Sequence, residues 1–229
     1  MMTGEKWLNC TDPSPMLEFI QSKAPDRKFR LFACACCRNV WSLIVEERWR
    51  KAVEIAEEYA DQACSSERLK EEWDSEGVTA VGHTIDGATA ADARWGADWA
   101  ARNAVQAVVE FNLHNLEPPN STDISAWARF RMERKQASED AQRTIQVQQV
   151  RDIFGNPFRP VTFNPSWRTL SVVRLAQTIC DERSFDKMPD LGDALERAGC
   201  RDEAILNHCR EPSEHVRGCW VVDLVLGKS

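Results

Sequence analysis

The sequence has almost none of the signals that mark β-structure. It contains a single tyrosine, no sustained alternation of apolar and polar β-formers, and no Asn-Gly or Asp-Gly hairpin between apolar strands. Apolar residues instead recur at the three- and four-residue spacing of amphipathic helices. These absences and this spacing predict an all-α fold, built as a compact multi-helix array.

Long hydrophobic runs are missing as well. No stretch approaches the roughly eighteen apolar residues of a membrane-spanning helix, and the polar start leads into no signal-peptide-like segment. With 36 acidic against 29 basic side chains the formal charge is −7, which disfavours nonspecific binding to nucleic acid or membranes. We therefore expect a cytoplasmic protein whose nine cysteines are thiols or metal ligands, not disulfides.

The clearest break in the helical pattern is the segment 117–121, which contains two adjacent prolines. It predicts an N-terminal helical region, residues 1–117, and a C-terminal helical region, residues 118–229, which form two packed subdomains or a single domain. Prolines make residues 154–167 irregular. The pattern also predicts a helix from Pro13 with Asp12 as its N-cap, a loop over residues 77–86 and a last helix over residues 215–226.

Three segments are distinctive in sequence. Residues 30–38 read RLFACACCR, residues 151–160 read RDIFGNPFRP, and residues 215–228 read HVRGCWVVDLVLGK. With their flanking residues they resemble a family of uncharacterised bacterial proteins that share DIFGNPFRP and end in HVRGCWVVDLLLGK. This chain departs from the family at Val225, where relatives tend to have leucine. The resemblance covers about half of the chain and implies a shared fold, but it brings no activity.

Metal-ligating residue types are concentrated in the last thirty residues. The candidate zinc ligands fall within twenty residues of one another: Cys200, His208, Cys209, His215 and Cys219. On one helix His215 and Cys219, four residues apart, would face the same way, as paired ligands do. Thiolate and imidazole suit tetrahedral zinc, and four protein ligands would make the site structural.

The alternative interpretation of these cysteines is core packing. The cluster has no CxxC knuckle, and free cysteine is among the most frequently buried residue types. A second group, Cys34, Cys36 and Cys37, lies among large apolar residues, and core packing is the favoured interpretation there too.

Motifs of common enzyme classes are absent: the sequence has no GxSxG, HExxH, P-loop or GxGxxG. A cysteine-dependent hydrolase or transferase would have to use Cys209 or Cys219 with His215 as base and Asp223 as the orienting group. Such a triad needs a geometry that sequence spacing alone does not provide.

Basic residues are grouped in two helical runs. The first run consists of Arg27, Lys28, Arg30, Arg38, Arg48, Arg50 and Lys51; the second consists of Arg129, Arg131, Arg134 and Lys135, next to Trp127 and Phe130. A nucleic-acid interface is one interpretation. The favoured one is a solvated helix face whose charges are neutralised by Glu46, Glu47 and Glu133.

By elimination, we expect a non-enzymatic helical protein that acts through protein–protein interaction, as an adaptor or regulatory component. A zinc-stabilised regulatory or nucleic-acid-associated protein is the first alternative. A cysteine-dependent enzyme is the second.

Overall fold

The computed structural model describes residues 1–73, 79–117 and 124–228. Within these ranges the chain forms α-helices and short 3-10 helices and no β-strand, so the predicted all-α class is confirmed. In chain order the α-helices are α1 (Gly4–Asn9), α2 (Pro13–Ile20), α3 (Asp26–Asn39), α4 (Glu47–Ala60), α5 (Ser66–Glu72), α6 (Ala80–Thr89), α7 (Ala93–His114), α8 (Ile124–Phe154), α9 (Leu170–Glu182), α10 (Met188–Arg197), α11 (Glu203–Arg210) and α12 (Trp220–Leu226). None of these helices is both long and apolar enough to cross a membrane.

Contacts divide the chain into two compact units. The N-terminal unit comprises Asn9–Val147, and the C-terminal unit comprises Thr3–Leu8 together with the chain from Gln148 onward. Helix α8 therefore supplies residues to both units. The predicted boundary between residues 117 and 118 adjoins residues 118–123, which lie outside the described part of the chain.

Helix α3 is the central element of the N-terminal unit. Its residues 29–37 are all buried, including Cys34, Cys36 and Cys37, each at most 1% exposed. Cys34, Cys36 and Cys37 are thus core residues.

Helix α2 precedes α3 and starts as predicted, with Pro13 in its first turn and the Asp12 carboxylate accepting from the Ser14 backbone N–H.

Helices α6 and α7 approach each other closely through glycine. A Cβ added at Gly87 would lie 2.5 Å from the backbone oxygen of Gly96, and one added at Gly96 would overlap the oxygen of Gly87.

The prediction of a loop over residues 77–86 is wrong for residues 80–86, which belong to helix α6. Residues 77–78 lie outside the described residues. The helix forms because Thr79 caps its first turn and α7 packs against it, despite its poor intrinsic propensity.

Arginines of the first basic run form hydrogen bonds and salt bridges within the N-terminal unit. Arg30 is 5% exposed and donates to the backbone oxygens of Ala88 and Ala90, which lie at the end of α6 and just beyond it. Arg38 pairs with the buried Glu57 through two contacts of 2.9 and 3.2 Å. Other members of the run pair or bond in the same way: Arg27 with Asp61, Arg48 with Glu46, and Arg50 with the oxygen of Ile44.

The C-terminal unit has its own hydrophobic core, formed by α9, α10, α11 and α12. Trp7 of α1 is fully buried, and Arg151 of α8 donates to the backbone oxygens of Trp7 and Leu8. The predicted last helix begins five residues late, at Trp220, because residues 215–219 form a turn. That turn carries two of the candidate zinc ligands.

Candidate metal centre

Asp152 lies in the last turn of α8, on its buried side. Gly155 ends the helix in the left-handed conformation, with its N–H donating to the oxygen of Arg151 at 2.9 Å. Asp152 is 4% exposed, between the fully buried Val150 and Ile153. A carboxylate at such a position needs partners, because an unpaired buried charge is strongly destabilising.

His208 lies on α11, one residue before a core position. The Asp202 carboxylate caps this helix by accepting from the N–H groups of Ala204 and Ile205. Cys209 then points into the core, while the His208 side chain, 15% exposed, points toward Asp152. The ring of Trp220 lies against the His208 imidazole, with centroids 5.0 Å apart.

His215 and Cys219 come from the connection between α11 and α12. The predicted geometry for this pair is wrong, because the two residues are not on one helix. A turn brings them together instead: the Cys219 N–H donates to the oxygen of Val216, and Gly218 has a φ of 94°. The Val216 N–H donates to Asp152 Oδ2 at 2.9 Å, which ties this turn to α8.

Four side chains converge at this point of the C-terminal unit. His215 Nδ1 lies 2.6 Å from Asp152 Oδ1, and His208 Nε2 lies 3.1 Å from the same oxygen. His208 Nε2 is also 3.2 Å from Cys219 Sγ. One ligand atom from each of the four residues lies within 4.8 Å of the other three, so the cluster could bind a metal ion.

The electrostatics of the cluster favour a charged carboxylate and a neutral thiol in the absence of a metal. Burial acts to raise the pKa of Asp152, but the hydrogen bonds and charges of His208 and His215 outweigh it and hold the pKa below its usual range. Burial, followed by the charge of Asp152, raises the pKa of Cys219 well above that of a free thiol.

One ring nitrogen in the cluster has no hydrogen-bond partner among residues 1–73, 79–117 and 124–228. His215 Nε2 is buried and unpaired, although the other ring nitrogen contacts Asp152. Buried polar atoms in proteins are nearly always paired, and an unpaired one indicates an absent partner. An imidazole nitrogen can donate its lone pair to a metal ion, and the nitrogen of His215 that faces Asp152 is Nδ1.

The structure brings together three of the five predicted ligands and adds a fourth residue. His208, His215 and Cys219 are in the cluster, whereas Cys200 and Cys209 are fully buried in the hydrophobic core and are not part of it. Cys209 packs its Cβ against Gly192. Asp152 was not among the predicted ligands, although it lies within the distinctive segment 151–160.

The cluster does not have the geometry of a cysteine-dependent triad. Such a triad uses one imidazole nitrogen for the thiol and the other for the carboxylate. Here His208 places the same nitrogen, Nε2, against both Cys219 and Asp152. His215, the predicted base, contacts Asp152 and not the predicted Asp223. The raised pKa of Cys219 also opposes formation of the nucleophilic thiolate.

Thiol modification gives a direct check of this burial. Seven cysteines are buried, and only Cys10 and Cys64 are partly exposed. We expect iodoacetamide under native conditions to label these two and to leave Cys219 unmodified, as read by peptide mass spectrometry. All nine should react in denaturant. Labelling of Cys219 as fast as Cys10 would contradict the buried, protonated thiol and revive the enzymatic interpretation.

Comparison of the chain with models of protein families, with curated proteins and with solved structures gives no significant match. The resemblance of segments 30–38, 151–160 and 215–228 to an uncharacterised family stays a prediction. What the fold and the cluster define is an all-α protein with a buried Asp/His/His/Cys group able to hold a metal ion.

Proposed function

We propose that the protein binds one zinc ion through Asp152, His208, His215 and Cys219. The observation that carries this proposal is the convergence of four ligand-type side chains within 4.8 Å, from α8, α11 and the turn before α12. Ligand atoms around tetrahedral zinc lie about 3.3–3.8 Å apart. The three contacts of 2.6, 3.1 and 3.2 Å are hydrogen-bond distances, so a bound ion would replace these hydrogen bonds and move the ligand atoms slightly apart.

The donor set favours zinc over other metals. Magnesium and calcium prefer all-oxygen ligands, whereas this cluster offers one thiol, two imidazoles and one carboxylate. Mixed sulfur and nitrogen ligands in a tetrahedral arrangement are typical of zinc. Binding would convert the Cys219 thiol to thiolate, because the charge of the ion offsets the cost of burial.

The role that the cluster supports is structural. Four protein ligands fill a tetrahedral shell and leave no position for water or substrate, in contrast to catalytic zinc sites. Bound zinc would supply a cross-link between the end of α8, α11 and the turn before α12. The protein's own residues already orient the ligands: the Val216 N–H holds Asp152 Oδ2, and Trp220 packs on His208.

This site supports a zinc-stabilised, non-enzymatic helical protein over a cysteine-dependent enzyme. A structural ion leaves the activity to the surface of the molecule, which is compatible with an adaptor or regulatory component that binds a partner. The partner interaction is a further part of the proposal and rests on elimination of the catalytic alternative.

Elemental analysis of protein purified without a histidine tag tests the proposal. We expect one zinc per chain. His215→Ala and Cys219→Ala should each lose nearly all of it, because each removes one of four ligands. Cys209→Ala is the matched control, since this neighbouring cysteine lies in the core and should leave a full equivalent of zinc bound.

Cobalt substitution keeps the test decisive if a ligand variant folds poorly. In the wild-type protein, cobalt should give the intense near-ultraviolet absorption of a thiolate–metal bond, and Cys219→Ser should lack it. Circular dichroism would establish whether each variant is folded. A wild-type protein that contains no zinc, and takes up neither zinc nor cobalt on dialysis, would overturn the proposal.

A further inference from the structure

The second basic run lies on the exposed first half of α8, and the proposed zinc ligand Asp152 lies in the last turn of the same helix. Residues 128–129 and 131–137 of this helix are all exposed, and Met132 is 72% exposed. Residues 124–137, called here the basic arm, contain four basic side chains and one acidic one. The arm is therefore positive in a chain with a net charge of −7.

The arginines of the basic arm lack the acidic partners that were expected for them. Arg129, Arg131 and Arg134 have no carboxylate within salt-bridge distance among the residues that the structure describes, and Glu133 pairs with none of them. Lys135, in contrast, pairs with Glu139 at 3.7 Å. The first basic run differs, because its arginines are held by Asp61, Glu57, Glu46 and backbone oxygens, as described above.

Aromatic rings lie on the same side of the arm as two of these arginines. Trp127 and Phe130 stack with centroids 5.7 Å apart and an interplanar angle of 27°. The Arg134 guanidinium lies 5.1 Å from the centre of the Phe130 ring. Trp127, Phe130, Arg131 and Arg134 are spaced three or four residues apart and share one helix face, on which both rings keep part of their surface exposed.

From this arrangement we propose that the basic arm binds single-stranded nucleic acid. Arg131 and Arg134 would contact phosphates through their planar donor forks, and Trp127 and Phe130 would stack on bases. Interleaved arginine and aromatic side chains are typical of sequence-tolerant single-strand binding. A membrane surface would instead favour an uninterrupted apolar stripe, which arginines interrupt here.

The negative total charge of the chain does not oppose this proposal. At physiological ionic strength charges are screened over about 8 Å, so a phosphate at the arm responds mainly to the arm itself. The acidic residues of the rest of the chain would restrict binding to this face. The proposal is independent of zinc, so its outcome and that of the zinc proposal are separate.

Fluorescence anisotropy with the full chain and a labelled oligouridylate tests the proposal. We expect binding that weakens about sevenfold between 50 and 200 mM salt, as two phosphate contacts to a single strand predict. The double variant Arg131→Gln/Arg134→Gln should weaken binding at least about tenfold and lower the salt slope. Trp127→Leu should weaken binding with little change in the slope.

The matched control is Arg48→Gln/Arg102→Gln. These arginines are also exposed, but they pair with Glu46 and Asp98, so binding should be unchanged. Three outcomes would overturn the proposal: no binding at the lowest salt, equal loss in the control variant, or binding to phosphatidylserine vesicles without binding to RNA. Circular dichroism of each variant excludes loss of the helix as the cause.

Discussion

Removal of zinc is expected to lower the free energy of unfolding of the C-terminal unit by about 5 kcal/mol. Structural zinc in small domains binds with about 12 kcal/mol at neutral pH, or a Kd of about 1 nM. Free zinc at a concentration of about 10 μM, bound only by the folded state, then raises the free energy of unfolding by about 5 kcal/mol. The melting temperature should fall by at least about 10 °C when a strong chelator replaces free zinc in calorimetry.

The Cys219→Ala variant is the control for this experiment. It lacks one ligand, so its melting temperature should be the same in zinc and in chelator. A wild-type protein that holds one zinc yet melts identically in both solutions would contradict a structural role and leave zinc binding intact. Loss of zinc and loss of stability are therefore measured separately.

Replacement of Gly96 by alanine is expected to destabilise the N-terminal unit by about 2–3 kcal/mol. The added methyl would overlap the backbone oxygen of Gly87, and a backbone cannot move aside as a flexible side chain does. Intrinsic helix propensity favours alanine over glycine by about 1 kcal/mol and would by itself predict a gain of stability. A measured loss would therefore come from the overlap. Urea denaturation measures the change.

Gly87→Ala should have the same effect, since its Cβ would lie 2.5 Å from the oxygen of Gly96 and 2.7 Å from the nitrogen of Ala100. The comparison variant is Gly192→Ala in α10, where the new methyl would meet the side chain of Cys209 at 2.9 Å. The atom met there is the Cβ of Cys209, and because 2.9 Å is a less severe overlap than 2.5 Å, we expect a smaller loss. Equal or increased stability of Gly96→Ala would show that α6 and α7 separate easily.

The fold class was predictable because helical periodicity is a local property of the sequence. The Asp12 cap of α2 was predictable for the same reason, since residues 12–14 contain all of its atoms. Helix α6 was not, because its glycines and threonines argue against a helix within their own window. Its stability comes from α7, which lies beyond residue 90 in the chain.

The candidate metal centre was likewise predictable in its local features and not in those that depend on distant contacts. Cys219, His208 and His215 could be predicted from residue type and proximity, but the expected helical pairing of two of them was wrong. Cys200 and Cys209 could not be separated from the three residues that converge with Asp152, because only packing decides which side chains point into the core. Asp152 was missed because acidic residues are usually exposed, and its partners lie more than fifty residues further along the chain.

The composition of the C-terminal unit has a consequence for folding during synthesis. Thr3–Leu8 leave the ribosome before the N-terminal unit, but they belong to the unit whose remaining residues start at Gln148 and leave after it. Arg151, which donates to the oxygens of Trp7 and Leu8, is translated after the whole N-terminal unit. Because domains fold as units while translation proceeds, Trp7 reaches its partners only after the residues from Gln148 onward have been translated. Until then the nascent chain carries an exposed tryptophan side chain.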